Sequence, residues 1–169
     1  HIGAALEVEP APLDLGPSRR VAELGPGTGA LTQRIVERLD KDARFLAVDI
    51  DPIFVEKIQK RWPDIECVCA SAEHLDDLAK ARSMFPLDHI VSGLPFVSLP
   101  SQMTRQILHS VSAALRPGGT FTTFQYLAGY GLKRASDFRR AMSAEMQPQA
   151  ETQVVFRNYQ WGAEKRNST

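Results

Sequence analysis

Short runs of apolar residues alternate with segments of helical periodicity along most of this chain. Apolar residues three and four positions apart indicate the buried stripe of a helix, and short continuous apolar runs indicate strands of a parallel sheet covered on both faces. The order of these patterns favours one α/β domain. They predict strands over 19–24, 43–49, 65–70, 87–92, 120–127 and 152–159, and helices over 30–39, 52–62, 72–82, 100–116 and 134–146.

The predicted strands end at regular intervals. Glu23, Asp49, Ser71 and Gly93 lie at or just after the first four strand ends, 26, 22 and 22 residues apart. Such a period is typical of an open, doubly wound sheet, whose ligand lies across the carboxyl ends of the strands. We therefore expect a Rossmann-like, mostly parallel sheet with its functional site at this edge.

A glycine-rich turn follows the first strand and runs directly into the first helix. Glycine adopts positive φ and lets a ligand approach the main chain, and a helix N-terminus offers unpaired N–H groups. The sequence therefore predicts a nucleotide-binding turn. Its binding residues are Gly25, Pro26, Gly27, Thr28 and Gly29.

Two nucleotide cofactors fit these glycines. Gly25-x-Gly27-x-x-Ala30 satisfies the dinucleotide fingerprint, which a single match supports only weakly. Glu23 favours S-adenosylmethionine (SAM), because a carboxylate beside the loop would repel a pyrophosphate but can be satisfied by the amino acid of SAM, directly or through water. Asp49, 20 residues past the last glycine, is predicted to accept from the ribose hydroxyls in either case, with Ile50 covering a face of the adenine.

The later strand ends carry the remaining candidates. We expect Ser71 and Ala72 to contact the adenine, with an N-cap for the next helix as the competing role of Ser71. In the block Gly93-Leu-Pro-Phe96, the carbonyls of Gly93 and Leu94 can accept from an amine, and Pro95 has no N–H to compete. Phe96 can stack on a base or a methylated ammonium, the alternative being a core residue. A hydroxyl near the acceptor is predicted for Tyr126, at the fifth strand end.

Charge and cysteine content indicate the kind of partner and the redox compartment. The chain has 169 residues and no net charge, but residues 1–92 carry 11 Lys and Arg against 16 Asp and Glu, while residues 93–169 carry 9 against 4. The basic half favours an anionic partner, either a phospholipid surface or nucleic acid. Cys67 and Cys69 are interpreted as buried strand residues in a reducing compartment, and two such ligands do not make a zinc site, so no metal is expected.

The motifs together resemble those of bacterial phospholipid N-methyltransferases, within the class I SAM-dependent methyltransferases. The resemblance spans about residues 20 to 158. Its first motif is shared by the whole superfamily, and the segments from G-L-P-F onward are more discriminating. The motifs are A-E-L-G-P-G-T-G, V-S-G-L-P-F-V-S-L-P, F-Q-Y, G-Y-G-L, F-R-R-A-M and V-V-F-R-N.

The resemblance implies a cytoplasmic enzyme, peripheral at the inner membrane face, that methylates phosphatidylethanolamine stepwise toward phosphatidylcholine. An amphipathic helix upstream of His1 would dock it on the bilayer. Residues 19–161 would form the methyltransferase domain, after an irregular entry segment over 1–18 and before a frayed tail over 162–169. Ser71, where the family often has Asp, and a tail without the expected prolines depart from the family pattern, the latter indicating an incomplete last strand.

Four alternatives remain open. An rRNA adenine N6-dimethyltransferase has similar motifs, but usually shows Asn where Gly93 stands and carries a helical RNA-binding domain after the catalytic one. Glu23 and the Gly-Leu-Pro-Phe block disfavour an NAD-dependent oxidoreductase. A small-molecule methyltransferase or a silent SAM-binding module would share the cofactor site, and only a transfer assay separates them.

Overall fold

The computed structural model describes residues 13–126, 133–146 and 151–157. Within this part of the chain, six strands form one sheet in the order β3-β2-β1-β4-β5-β6, and every pairing is parallel. The order reverses between β1 and β4, which is where ligands of doubly wound sheets bind. The strands are β1 (Arg20–Leu24), β2 (Arg44–Asp49), β3 (Glu66–Cys69), β4 (Leu87–Ser92), β5 (Leu115–Tyr126) and β6 (Glu151–Arg157).

Helices cover both faces of the sheet and create two apolar cores. One core joins β1 and β2 to α1 and α2, and includes Val21, Ile35 and Ile58. The other packs α3, α4 and α5 on the opposite face, around Leu108 and Phe121. The predicted α/β, Rossmann-like fold is therefore confirmed. The helices are α1 (Ala30–Val36), α2 (Pro52–Arg61), α3 (Leu75–Ala81, after a 3₁₀ turn over Ala72–His74), α4 (Ser101–Ala114) and α5 (Lys133–Glu145).

The fifth strand begins earlier than the sequence predicted. We expected the Pro-Gly-Gly segment after Arg116 to separate α4 from the strand, but β5 starts at Leu115, directly after α4. Leu87 pairs with Leu115 and His89 with Thr120, so four residues of β5 bulge opposite Asp88. The bulge absorbs the turn-forming residues, and a 2.8 Å hydrogen bond from Arg116 Nε to Asp88 holds it against β4.

One cysteine assignment was wrong. Cys67 is buried, as predicted, but Cys69 is exposed at the end of β3. Because β3 is an edge strand, it has a neighbouring strand on one side only. Burial raises the pKa of the Cys67 thiol to about 11, so this thiol stays protonated at neutral pH.

Some predictions fall outside the described residues. These are residues 1–12 of the entry segment, the end of the fifth strand at Leu127, the end of the last strand over 158–159, and the tail over 162–169. The last strand, β6, pairs with β5 along its whole described length, from Glu151 to Arg157. Within the described ranges, none of the helices has both the length and the apolar character needed to cross a bilayer.

Candidate functional site

The glycine turn lies at the carboxyl end of the central strand and is tied to its neighbour. Gly25, Gly27 and Gly29 have φ values of +70°, +53° and +89°, which residues other than glycine rarely adopt. The amide of Gly25 donates to the carbonyl of Val48 over 2.9 Å, and Gly29 donates to Pro26 over the same distance. A Cβ on Gly27 would meet no atom within 4 Å, so the middle of the loop is open to a ligand.

The first and last glycines are closely packed instead. A Cβ on Gly25 would lie 2.6 Å from Cδ2 of Leu94, and one on Gly29 would lie 2.6 Å from the ring of Trp62. Leu94 follows β4 and Trp62 ends α2. Leu94 and Trp62 therefore occupy the space in which a Cβ on Gly25 or Gly29 would lie, so only glycine fits at these two positions.

Glu23 is the most unusual side chain in this region. It is fully buried, and its Oε2 accepts a 2.7 Å hydrogen bond from Thr32 Oγ1 of α1. Its Oε1 has no hydrogen-bond partner among the described residues. Burial raises the pKa of Glu23 to about 8, an effect that the Thr32 hydroxyl reduces and the charge of Asp49 increases. A buried carboxylate with one unsatisfied oxygen is costly, and a cationic ligand group would satisfy it.

Asp49 is held in place by two backbone amides. Gly27 N donates to its Oδ2 over 3.1 Å, and Asp51 N donates to its Oδ1 over 3.0 Å. Each carboxylate oxygen keeps further acceptor capacity, so Asp49 can still accept from a ribose. The neighbouring Ile50 is 70% exposed, which leaves its side chain available as an apolar surface.

Ser71 adopts the competing role that the sequence analysis allowed. Its Oγ accepts from the amide of Glu73 over 3.3 Å and donates to the Glu73 carboxylate over 2.8 Å, which caps the 3₁₀ turn that Ala72 begins. Ser71 and Ala72 lie at the correct strand end for an adenine contact, and that contact stays a prediction.

The block after β4 lies directly against the glycine turn. Gly93 N donates to the carbonyl of Leu24 over 2.9 Å, and a Cβ on Gly93 would lie 3.0 Å from the carbonyl oxygen of Gly25. The carbonyl of Leu94 accepts from Phe96 N over 2.9 Å, which uses one of its two lone pairs. Pro95 lies between Leu94 and Phe96. Tyr126 is the last residue of β5, and its part in the site stays a prediction.

Phe96 is a core residue in this structure. It is 2% exposed, its ring stacks on Phe138 of α5 at 5.0 Å between centroids, and it meets Phe121 edge-on at 6.4 Å. The sequence analysis named Phe96 but missed Phe138, whose position in the helical stripe of α5 gave no indication of its partner. Direct contact between Phe96 and a ligand stays a prediction.

The stacked rings form part of a cavity between α4 and α5. Its volume is about 310 Å³, and Leu99 and Ala141 extend its apolar wall. Thr104, Arg105, Asp137 and Arg140 also line it. The sequence analysis missed this cavity, although its polar lining residues recur three and four positions apart on two predicted helices.

The fold and the glycine turn define a nucleotide-binding α/β protein, and the polar groups around the turn fit SAM. The buried Glu23 has an unsatisfied oxygen for a cation, Gly27 leaves room for a ligand, and Asp49 is oriented toward the same loop. A pyrophosphate would instead be placed beside a buried carboxylate.

Comparison with known proteins agrees with this assignment. Residues 21–119 match the family described as Methyltransferase domain, so the chain belongs to that family. It is a SAM-dependent methyltransferase domain, with S-adenosyl-L-methionine as its cofactor.

Two curated relatives differ in substrate. Over 107 residues the chain is 33% identical to an ornithine lipid N-methyltransferase of Singulisphaera acidiphila, a match covering 62% of this chain and 56% of that protein. It is 33% identical over 94 residues to ribosomal RNA small subunit methyltransferase A of Cupriavidus metallidurans, covering 56% of this chain and 31% of that protein. The chain thus spans about half or less of these relatives' lengths.

Solved structures share the fold. A TehB-like SAM-dependent methyltransferase from Corynebacterium glutamicum has a TM-score of 0.58 at 19% identity, covering 77% of this chain and 66% of that one. Fibrillarin from Aeropyrum pernix, with natively bound S-adenosyl-L-methionine, has a TM-score of 0.58 at 16% identity, covering 78% of this chain and 56% of that one.

Proposed function

We propose that this chain transfers methyl groups from SAM to the amine of a lipid head group, with phosphatidylethanolamine as the leading substrate. The observation that carries the proposal is the similarity to an ornithine lipid N-methyltransferase over 107 residues, because both acceptors present an amine on an acylated molecule. The basic charge of residues 93–169 supports an anionic lipid surface as partner.

On the cofactor side, we assign binding to the glycine turn and the strand ends around it. A cationic group of the ligand beside Glu23 would lower its raised pKa, and the carboxylate, once ionised, would balance that charge. Asp49 would accept from the ribose hydroxyls. Ile50 and Ala72 would border the adenine, with the Ser71 hydroxyl as its polar neighbour.

On the acceptor side, the chain has to hold a neutral amine in line with the reactive methyl group. The cofactor supplies that methyl group in activated form, so the protein mainly positions the nitrogen and excludes water. The carbonyls of Gly93 and Leu94 would accept from the amine, since Pro95 removes a competing N–H. Phe96 would support this turn from below through its stack on Phe138, and Tyr126 would place a hydroxyl nearby.

A methyl-transfer assay tests the proposal. The protein is incubated with methyl-labelled SAM and, in parallel, anionic vesicles containing phosphatidylethanolamine, vesicles containing ornithine lipid, or undermodified ribosomal RNA. We expect label in phosphatidylethanolamine. Label only in ornithine lipid would keep the lipid amine and change the substrate, whereas label only in RNA would overturn the proposal.

Ribosomal RNA is the second candidate, favoured by the match to ribosomal RNA small subunit methyltransferase A. We rank it second because the amine-facing position is Gly93, which offers no side chain to a base. The RNA arm of the transfer assay tests this candidate with the parent protein. Label in undermodified ribosomal RNA and none in either lipid would favour it.

A further inference from the structure

The cavity between α4 and α5 combines an apolar wall with a basic rim. Phe96, Leu99, Phe138 and Ala141 form the wall. Arg105 from α4 and Arg140 from α5 lie at the rim, where their side chains face solvent. This arrangement is complementary to a molecule whose anionic group adjoins an apolar chain.

A buried hydroxyl in the same cavity is unsatisfied. Thr104 is 3% exposed, and its Oγ1 has no hydrogen-bond partner within the described part of the chain. Because buried hydroxyls in native proteins are nearly always paired, this hydroxyl beside the cavity has an unused donor that a small rotation of the side chain would offer to a bound molecule. An ester or phosphate oxygen would accept from it.

The rim charges differ in how fully they are paired. Arg140 lies 3.9 Å from the carboxylate of Asp137, a distance that leaves it free to reorient. Arg105 has no ion pair among the described residues. One unpaired guanidinium above an apolar wall gives the cavity a net attraction for an anion that Asp137 only partly offsets.

We infer that this cavity binds a single phospholipid molecule by its phosphodiester and adjoining glycerol, with Arg105 and Arg140 on the phosphate and Thr104 on an ester or phosphate oxygen. The inference rests on the proposed function, for which it names the subsite. Phe96 connects this cavity to the turn of Gly93 and Leu94, so a lipid held here would have its head group near the cofactor side. RNA shares the phosphate, and its bases could stack on the phenylalanine rings, but it has no acyl chain to fill the aliphatic part of the wall at Leu99 and Ala141.

Binding measured without turnover tests the inference. Dihexanoyl phosphatidylethanolamine, below its micellar concentration, is titrated calorimetrically into the protein saturated with S-adenosylhomocysteine. Arg105→Gln is expected to weaken binding about tenfold or more, as the loss of a charge-assisted hydrogen bond does. Arg139→Gln, which removes the same charge from α5 outside the cavity lining, is the control and should change binding less than about twofold.

Thr104→Val is a second variant, and it is expected to raise the stability of the free protein while it weakens lipid binding. Valine fills the same space without the orphan hydroxyl, so the melting temperature of the free protein should rise while lipid affinity falls about threefold. A fall in both would mean that the hydroxyl is structural. All variants must retain the affinity of the parent protein for S-adenosylhomocysteine, which shows that they are folded.

The outcomes separate this inference from the proposed function. Arg105-dependent binding without methylation would support the cavity and reject lipid methylation. Methylation with the same Michaelis constant in Arg105→Gln and Arg139→Gln would keep the function and overturn the cavity. Glycerol phosphate binding as tightly as the lipid, or Arg105-dependent binding of an RNA hairpin without lipid binding, would also overturn it.

Discussion

On the cofactor side of the site, backbone groups make most of the contacts, whereas the cavity that we propose for the acceptor is lined by side chains of α4, α5 and the loop after β4. Gly25 and Gly27 donate from the main chain to fixed acceptors on β2, at 2.9 and 3.1 Å. The rings of Phe96 and Phe138 stack in the wall of that cavity, which Thr104 and Arg105 also line. The first arrangement depends on what short local segments can adopt, and the second on what the whole fold brings together.

The two sides also differ in charge. The half of the chain that carries the glycine turn is acidic and includes the buried Glu23, while the half that carries the cavity is basic. A cofactor with cationic groups and an anionic acceptor would each meet the opposite charge. We therefore expect a substitution in the cavity to leave cofactor affinity unchanged, and a substitution in the glycine turn to leave the cavity unchanged.

The largest effect is expected from Phe138→Ala. Removing the ring deletes its stack with Phe96 and enlarges the cavity, which should lower the free energy of unfolding by about 4 kcal/mol. Affinity for S-adenosylhomocysteine should stay within about twofold, because the glycine turn is held by its own hydrogen bonds. Urea denaturation and calorimetry measure the two quantities.

Phe138→Leu is the control for Phe138→Ala, since it keeps most of the apolar volume and should cost about half as much. If cofactor affinity fell in step with stability across both variants, the two sides would be coupled, and the comparison would be wrong.

Gly29→Ala should have the next largest effect. Alanine at φ +89° is strained, and its Cβ would lie 2.6 Å from the Trp62 ring, so we expect a loss of about 3 kcal/mol. Gly16→Ala is matched in backbone, at φ +51°, but its Cβ meets no atom within 4 Å, and it should cost only about 1 kcal/mol. Equal losses in urea denaturation would show that Trp62 moves aside freely.

The cofactor side was readable from the sequence because its signals are local. A glycine triplet, an acidic residue before it and another at the next strand end are each specified within a few positions, and the structure brings Glu23, Asp49 and Gly93 to one edge of the sheet. The helix cap at Asp51 is of the same kind, because an Asp-Pro pair at the start of a helical pattern is a local signal, and the Asp51 side chain accepts from Ile53 N over 2.8 Å.

The acceptor side was less readable because its contacts join distant segments. Nothing near Phe96 in sequence indicates Phe138, since their contact depends on how α5 crosses over the sheet. The β5 bulge was missed for a related reason, because Pro-Gly-Gly signals a turn whether or not strand pairing continues through it. The burial of Cys69 was predicted wrongly because alternation along a strand does not reveal which strand lies at the edge of the sheet.

Glu23→Gln should change how stability depends on pH. The pKa of Glu23 is raised to about 8 in the folded protein from 4.5, so between these values the native state binds a proton that the unfolded state has lost. Stability therefore falls as pH rises through this window, by about 1.4 kcal/mol per pH unit. His89, whose pKa burial lowers to about 4, acts with the opposite sign below 6.5, so the range from 6.5 to 8 isolates Glu23.

Melting temperatures across that range are the measurement. The parent protein should lose about 2 kcal/mol between pH 6.5 and 8, and Glu23→Gln should lose little of it. Glu37→Gln removes a carboxylate from an exposed position and should follow the parent protein. A parent curve that stayed flat would mean that Glu23 is not buried as the structure has it.

Asp49→Asn should have the smallest effect, and it falls on cofactor affinity. Asp49 accepts from two backbone amides, one at each oxygen, whereas an asparagine amide has one acceptor and one donor group. In either orientation its NH₂ group faces a backbone N–H, so one loop hydrogen bond is lost along with the negative charge. We expect S-adenosylhomocysteine to bind about tenfold more weakly by calorimetry. Asp51→Asn removes the same charge two positions away but keeps an acceptor for the N-cap, and it should change affinity less than about twofold. Equal losses in the two variants would mean that the cofactor responds to the local charge and not to the geometry that Asp49 imposes on the glycine turn.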